Sequence, residues 1–258
     1  MQELGSVDRM ADAPPYRQIA DQLRRAIQRG DLEPGGRVPS EAELMEHYGV
    51  ARMTVRQAVA ELKAEGLVIA EHGRGVFVRS RPTVRRLASD RFARRHREAG
   101  KAAFIAESES LGTPSVDQVE VSQVVPGERV AEQLKLRKAA KVVCRDRRYL
   151  IDDIPVELAT TYVPLAIARG TAITSQDTGP GGVYARIEEA GHRLASFTEE
   201  VGARMPSPEE RRRLSLPEGT PVITVTRVAY DVERRPVEMT DTVKSAPSYV
   251  LEYSFAAT

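Results

Sequence analysis

Three side chains in the stretch VARMTVRQAVAELKAEGLV, residues 50–68, have the types and spacing to grip a polyanion. Arg52 and Arg56 stand one helical turn apart, Thr54 lies between them, and Lys63 falls nearly in line two turns further on. A guanidinium stays charged and offers a planar fork of donors, which matches phosphate or the O6/N7 edge of guanine. Thr54 is short enough to meet a phosphate or a thymine methyl. Val55, Ala58, Val59 and Leu62 form a separate apolar stripe, so one helix has a face to anchor and a face to present. Lys63, in the third turn, is expected to lie beyond the groove that the first turns enter. Solvated arginines on an ordinary exposed helix would show the same Arg-x-x-x-Arg pair, so the neighbouring elements must decide.

A second group lies in KVVCRDRRYLIDDIPVELATTYVP, residues 141–164. Period two puts Arg145, Arg147 and Tyr149 on one face of a strand, and a turn at Asp152-Asp153 brings Glu157 onto the neighbouring strand. Two guanidiniums with one carboxylate leave a net positive site, suited to a small ligand with an anionic group and a hydroxyl or amine donor. The same residues on a solvent face would instead be a ladder paired with carboxylates across the sheet. Enzyme chemistry has little to work with. Of the four histidines, His47, His72 and His96 fall in or beside the N-terminal stretch, and no acid–base pair or metal spacing surrounds His192. The single cysteine, Cys144, allows no intramolecular disulfide and no Cys-rich zinc site. No cofactor and no metal are expected.

The elements that position the first group are legible. Pro14-Pro15 precede YRQIADQLRRAIQRGDL, where Ile19, Leu23 and Ile27 recur at helical spacing and Gly30 ends the run. Ser40 and Glu43 have the spacing of a capping box, so a second, short helix begins at Ser40 and stops at Gly49. The third helix runs from near Ala51 to Glu65, ending at Gly66. LVIA and VFVR follow as strands around EHGRG, a hairpin turn in which His72, Gly73 and Arg74 can approach a minor groove. Helix, helix, tight turn, helix and two-stranded ribbon is the order of a winged helix-turn-helix. In that order the flank of the third helix can enter a major groove of about 12 Å width.

Charge is segregated along the chain. Residues 13–82 hold 11 Lys+Arg against 9 Asp+Glu, residues 83–101 hold 7 against 2, and residues 102–258 hold 19 against 23. A basic front half joined to a mildly acidic remainder suggests a polyanion-binding part and a part with other work. Residues 83–101 read as a basic linker that either adds phosphate contacts or is simply solvated. The remainder alternates hairpins with a few helices, which indicates α+β. One helix is expected after Pro126-Gly127, another over VYARIEEAGHRLA with Tyr184, Ile187 and Leu194 on its apolar side, and a third from Pro208 to Leu214. No apolar run approaches the ~18 residues of a membrane helix, and the N-terminus lacks a signal-peptide pattern, so a cytoplasmic protein is expected.

Residues 14–78 closely resemble the GntR-type winged-helix domain of bacterial transcription regulators. The match runs through G-x-x-x-P-S-E-x-E-L, then V-x-R-x-T-V-R-x-A-x-x-x-L-x-x-E-G-L, then G-x-G-x-F-V. The resemblance implies that Arg52, Thr54 and Arg56 contact operator bases and phosphates, that Ser40 meets a phosphate, and that Gly73 sits in the minor groove. Ala51 stands where the family usually caps the helix, and Ala42 where many members carry a base-reading arginine. The C-terminal part resembles, more loosely, the UTRA effector-binding domain of the HutC branch, a fold shared with chorismate lyase. That resemblance implies a cavity lined by Arg145, Arg147, Glu157, Tyr184 and Glu238. Lys244 stands at the position of a late tyrosine and Gly182 at that of a serine, which argues against a phosphosugar effector.

The expected organisation is a disordered tail (1–12), a winged helix-turn-helix domain (13–82), a basic linker (83–101) and an effector-binding, dimerising α+β domain (102–258). The expected function is a homodimeric repressor, released from palindromic operator DNA by a small-molecule effector. A mobile-element repressor whose C-terminal domain only dimerises is the second reading, and an enzyme of chorismate-lyase type the third.

Overall fold

Pro15 opens α1 (Pro15–Arg29) because proline supplies the helical φ at a position whose N–H has no helical partner. Gly30 closes it in the left-handed region, at φ +88°. The capping box forms at α2 (Glu41–Tyr48). The Glu43 N–H donates to the Ser40 hydroxyl oxygen, and the Ser40 N–H donates to the Glu43 carboxylate. Ala51, extended and without a side-chain cap, precedes α3 (Arg52–Ala64). Strands β1 (Val68–Glu71) and β2 (Gly75–Val78) pair antiparallel as the expected wing. Val55, Ala58, Val59 and Leu62 bury the stripe of α3 against Ile19, Leu23 and Leu44.

These elements come from a computed structural model that describes residues 4–71, 73–79, 84–87, 103–108 and 112–254. The chain divides into two compact units between residues 81 and 82, with the short segment Pro217–Thr220 grouped with the first. Residues 4–12, within the stretch expected to be a disordered tail, are instead docked. The Asp8 N–H donates to Gln18 at 2.9 Å, Gln22 donates to the Ser6 carbonyl at 2.8 Å, and Leu4 and Val7 pack on the core. Two glutamines one turn apart on α1 satisfy backbone that would otherwise need water. The linker also differs in part: β3 (Val84–Leu87) pairs parallel with β10 (Tyr249–Glu252), while Arg91, Arg94, Arg95 and Arg97 lie outside the described residues.

In the second unit a six-stranded antiparallel sheet has the order β4-β5-β6-β9-β8-β7. Its strands are β4 (Pro114–Val124), β5 (Val142–Ile151), β6 (Ile154–Pro164), β7 (Leu194–Arg204), β8 (Val222–Asp231) and β9 (Pro236–Ser245). Asp152 and Asp153 both take positive φ, 48° and 62°, as a tight hairpin between twisted strands requires. Helix α4 (Ala103–Ser108) precedes the sheet, and α5 (Glu128–Gln133), α6 (Leu165–Ala168), α7 (Gly182–Glu189) and α8 (Pro208–Arg213) are inserted between strands. Helices α6 and α7 pack on one face around Val143, Val163, Ile187 and Ala229. The other face packs around Val130, Leu134, Val142 and Val228, and around Leu158, Leu214 and Val222. The architecture is α+β, a helical winged domain followed by a sheet-rich one. Helix α7 is shorter than expected: Gly191, at φ +92°, breaks it, and Leu194 opens β7 instead of ending the helix. No helix among the described residues is long and apolar enough to cross a membrane.

The turn from β8 to β9 depends on one buried carboxylate. Asp231 accepts from the backbone N–H of Glu233 at 3.0 Å and of Arg235 at 2.9 Å, and pairs with the Arg235 guanidinium and the His192 ring. Burial pushes its pKa up, but these hydrogen bonds and the charge of Arg235 outweigh burial and draw it down to about 2. Because the folded value lies below the ordinary 3.8, ionised Asp231 stabilises the fold above that pH, and the contribution fades as pH falls toward about 2. Replacing Asp231 with Asn should lower stability at neutral pH and flatten the acid limb of a denaturation-midpoint profile. Identical acid limbs for parent and variant would show that this carboxylate does not hold the turn.

Candidate functional site

Arg52, Thr54 and Arg56 occupy the first turns of α3, on the side away from its buried stripe. The side chains of Arg52 and Arg56 are 67% and 60% exposed. Both face Glu41, in the first turn of α2: the Arg56 Nε lies 3.2 Å and the Arg52 Nε 3.7 Å from its carboxylate. Exposed pairs of this kind add little stability, so the terminal donors of both forks remain available to a stronger anion. Met53, 70% exposed between them, is an apolar surface that sequence reading passed over.

Ser40 accepts from the Glu43 N–H, which leaves its own hydroxyl proton to donate outward. At the wing tip Gly73 holds φ +73°, with open space where a Cβ would project. Arg74 is tethered to Glu71 and lies over the Phe77 ring at 5.5 Å, and His72 lies outside the described residues. Lys63 lines a cleft together with Ser40, Arg56 and Gly75.

The second group opens onto a cavity of about 450 Å³ on the α7 side of the sheet. Arg145, Arg147 and Tyr149 share the expected face, and all three line it, with Tyr184 and Glu238. Arg145 is taken up structurally. Only 2% exposed, it donates to the carbonyls of Ile173 at 2.6 Å, Gln176 at 2.7 Å and Ser175, and so pins the loop that carries Gln176 and Asp177 to the cavity rim. Desolvation, then the neighbouring charge of Arg147, lowers its pKa to about 10. Arg147 donates to the Thr161 hydroxyl and lies over the Tyr149 ring, whose other neighbour is Phe104, centroid to centroid 4.3 Å.

Two expected residues stand elsewhere. Glu157 and Lys244 do not line the cavity. They are fully buried and paired with each other, and the Tyr249 hydroxyl donates to the same carboxylate at 2.8 Å. A lysine at this position meets a glutamate directly across the β6–β9 pairing, and in an apolar surround such a pair is costly to separate. The cavity gains Arg227 instead, 6% exposed, 3.7 Å from the Glu238 carboxylate and 5.6 Å over the Tyr184 ring. The Tyr184 hydroxyl donates to Glu238 at 3.3 Å. Sequence reading missed Arg227, although two signals were present. It interrupts the apolar alternation Ile223, Val225, Ala229, and it falls 80 residues after Arg147 in a repeated R…P-V-E pattern, where Glu238 answers Glu157. Gly182, at the expected serine position, has φ +68°. An L side chain is strained there, so the departure follows the local backbone.

These two sites on these two domains are those of a winged-helix transcription regulator with a ligand-binding domain. A model described as bacterial regulatory proteins, gntR family, matches residues 15–78, and one for the UTRA domain matches residues 110–249. An HTH-type transcriptional regulator of Streptomyces coelicolor is 31% identical over 94% of this chain and 93% of its own. The HTH-type transcriptional repressor NagR of Bacillus subtilis is 27% identical over 87% and 88%, and the histidine utilization repressor of Pseudomonas putida 27% over 95% and 93%. Among solved structures, a GntR-family regulator superposes with a TM-score of 0.63 at 28% identity, covering 96% of this chain and 99% of that one. PhnF from Mycobacterium smegmatis gives 0.59 at 24%, covering 93% and 100%. The chain belongs to the GntR family of bacterial regulatory proteins, in the branch that carries a UTRA domain. It is a regulator and not an enzyme, and His192 is occupied with Asp231.

Two substitutions on α3 should separate reading from folding. Arg56→Ala should weaken operator binding by about 1–3 kcal/mol with the unfolding midpoint unchanged. Leu62→Ala, at a fully buried position, should cost about 2–5 kcal/mol of stability. Titration of the operator and thermal unfolding of both variants check this. An Arg56→Ala protein that binds like the parent at matched salt would misplace the reading face.

Proposed function

We propose that the protein is a homodimeric repressor that binds a palindromic operator and leaves it when a small anionic molecule enters the cavity. Ser40, Arg52, Thr54, Arg56, Gly73 and Arg74 would meet DNA. Arg147, Arg227, Tyr184 and Glu238 would meet the ligand, while Arg145 holds the rim. The domain limits follow the sequence reading, a head over residues 13–82 and a ligand-binding, dimerising part over residues 102–258. Dimerisation is inferred because one recognition helix reads few base pairs, and two-fold symmetry doubles the contacts. Relatives named as repressors, NagR and the histidine utilization repressor among them, support the sign of regulation.

The observation that carries the ligand reading is the cavity itself. Arg147 and Arg227 come from different strands and line one cavity, where the Arg227 guanidinium stands 3.7 Å from the Glu238 carboxylate. Two forks converging on one space suit a carboxylate or phosphate held bidentately. Glu238 and Tyr184 beside them suit a hydroxyl or amine on the same molecule. A ligand moves the DNA equilibrium only by its differential affinity for the two states, typically about 1–3 kcal/mol of coupling, enough to empty an operator poised near half occupancy.

A thermal-shift screen of small anionic metabolites, followed by operator release with each hit, tests this reading. Arg147→Ala combined with Arg227→Ala should bind operator as the parent does and lose release at the parental ligand concentration. Release that survives in the double variant would remove these arginines from the ligand site. A screen with no hit, in a protein that sediments as a dimer, would favour a C-terminal domain that only dimerises. A monomer at micromolar concentration in sedimentation would sink the dimer.

A further inference from the structure

The head contains a cationic cleft in which two of the cations, Arg37 and Lys63, have no assigned role. About 330 Å³ in volume, it lies where the first turn of α2, the back half of α3 and strand β2 meet, and Arg37, Arg56 and Lys63 all line it. Each cation comes from a different place in the fold. Arg37 follows the Pro34–Gly36 turn and forms a lone bridge to Phe77 of the wing, which lays its guanidinium over Gly75. A Cβ at Gly75 would come within 3.1 Å of the Arg37 Nε, so glycine there is what lets the side chain lie flat in the cleft. Lys63 sits two turns beyond Arg56 on the same flank, about 10 Å along the axis. Ser40 adds an outward hydroxyl at the cleft wall.

The charges in this cleft do not balance. Arg56 is met by Glu41 and Arg37 lies within the field of Glu43, but neither Arg37 nor Lys63 makes a salt bridge within 4 Å among the described residues. Cations brought together from separate elements repel one another, and an anion seated between them relieves that cost. The cleft also lies on the flank of α3 that carries Arg52 and Arg56. A helix inserted by its N-terminal turns leaves its later turns at the groove edge, where the sugar–phosphate strand passes.

We propose that Arg37 and Lys63, with the Ser40 hydroxyl, form a seat for one phosphate of the DNA backbone. This rests on the DNA-binding reading of the same domain and adds two residues to it. The seat fixes how deeply and at what angle α3 enters the groove and carries no sequence information, since phosphate contacts position and base contacts specify. Lys63 is then part of the interface after all, through the backbone instead of the bases.

The test uses the full-length protein, an operator duplex selected from a random pool, and an unrelated duplex of equal length, each titrated over a range of salt. Arg37→Ala with Lys63→Ala should weaken binding to both duplexes by the same factor, about eightfold per head near 0.1 M salt, and should reduce the slope of log K against log salt by about 0.9 per head. The ratio of operator to unrelated binding should stay at the parental value. The charge-keeping pair Arg37→Lys with Lys63→Arg should restore most of the slope, and matched unfolding midpoints should show that the head is intact. A parental slope and affinity in the alanine pair would overturn the seat. So would a loss confined to the operator, which would make these residues readers of bases. If the parent itself binds neither duplex, the DNA-binding reading has failed instead.

Discussion

The pairing of β6 with β9 at the centre of the sheet sets where the strand-borne side chains of the cavity stand. These two strands join the half containing β4 and β5 to the half containing β7 and β8, with Thr161 opposite Thr240 and Glu157 opposite Lys244. The threonine hydroxyls bond at 2.6 Å across the join. Side chains alternate faces with a period of two, so a slip of one residue would send half the cavity wall to the opposite face. The Glu157–Lys244 pair, buried at one end of that join, is a reason the slip does not occur: any other register would leave a charge in an apolar surround without its partner. The residues expected to bind ligand here are better understood as a register lock.

With the register fixed, the two halves present matching groups. Arg147 and Arg227 descend from equivalent strands of a repeated β–α–β–β pattern, and Glu157 and Glu238 from equivalent partners. The repeat is not used symmetrically. One glutamate is neutralised by a lysine and sealed, whereas the other lines the cavity with a tyrosine hydroxyl and an arginine beside it. The same fold element is therefore sealed at one end of the sheet and open to the cavity at the other. Arg145 shows a third use, a charge spent on backbone carbonyls to fix a loop.

The winged domain is built by the opposite economy. Its elements are short, and their ends are fixed locally by a proline, a capping box and glycines with positive φ. Nearly all its apolar residues go into one core, which leaves the surface of α3, the first turn of α2 and the wing free for charge. Arginines stay exposed there because Glu41 meets them without burying them. A surface held ready in this way binds a polyanion with little reorganisation.

The winged domain is legible in the chain almost to the residue. Its signals are local: the Ser40–Glu43 cap, the glycine stops, the apolar stripe of α3 and the Gly-rich wing tip each act over a few residues. The same holds for the Asp152-Asp153 hairpin and for the face shared by Arg145, Arg147 and Tyr149, since alternation is a property of a single strand. Where a local signal was outweighed the reading failed, as in α7, which Gly191 ended before Leu194. What the charged groups do depends instead on contacts between distant segments. Arg145 meets carbonyls about 30 residues away, and Glu157 pairs with Lys244 some 87 residues on. Arg227 enters a cavity whose other walls come from β5, α4 and α7, Lys63 and Arg37 line one cleft, and the N-terminal segment finds two glutamines on α1. A charge at a given position shows that a partner is needed. Which partner it finds depends on strands and helices brought together over long sequence distances, and no local pattern carries that information.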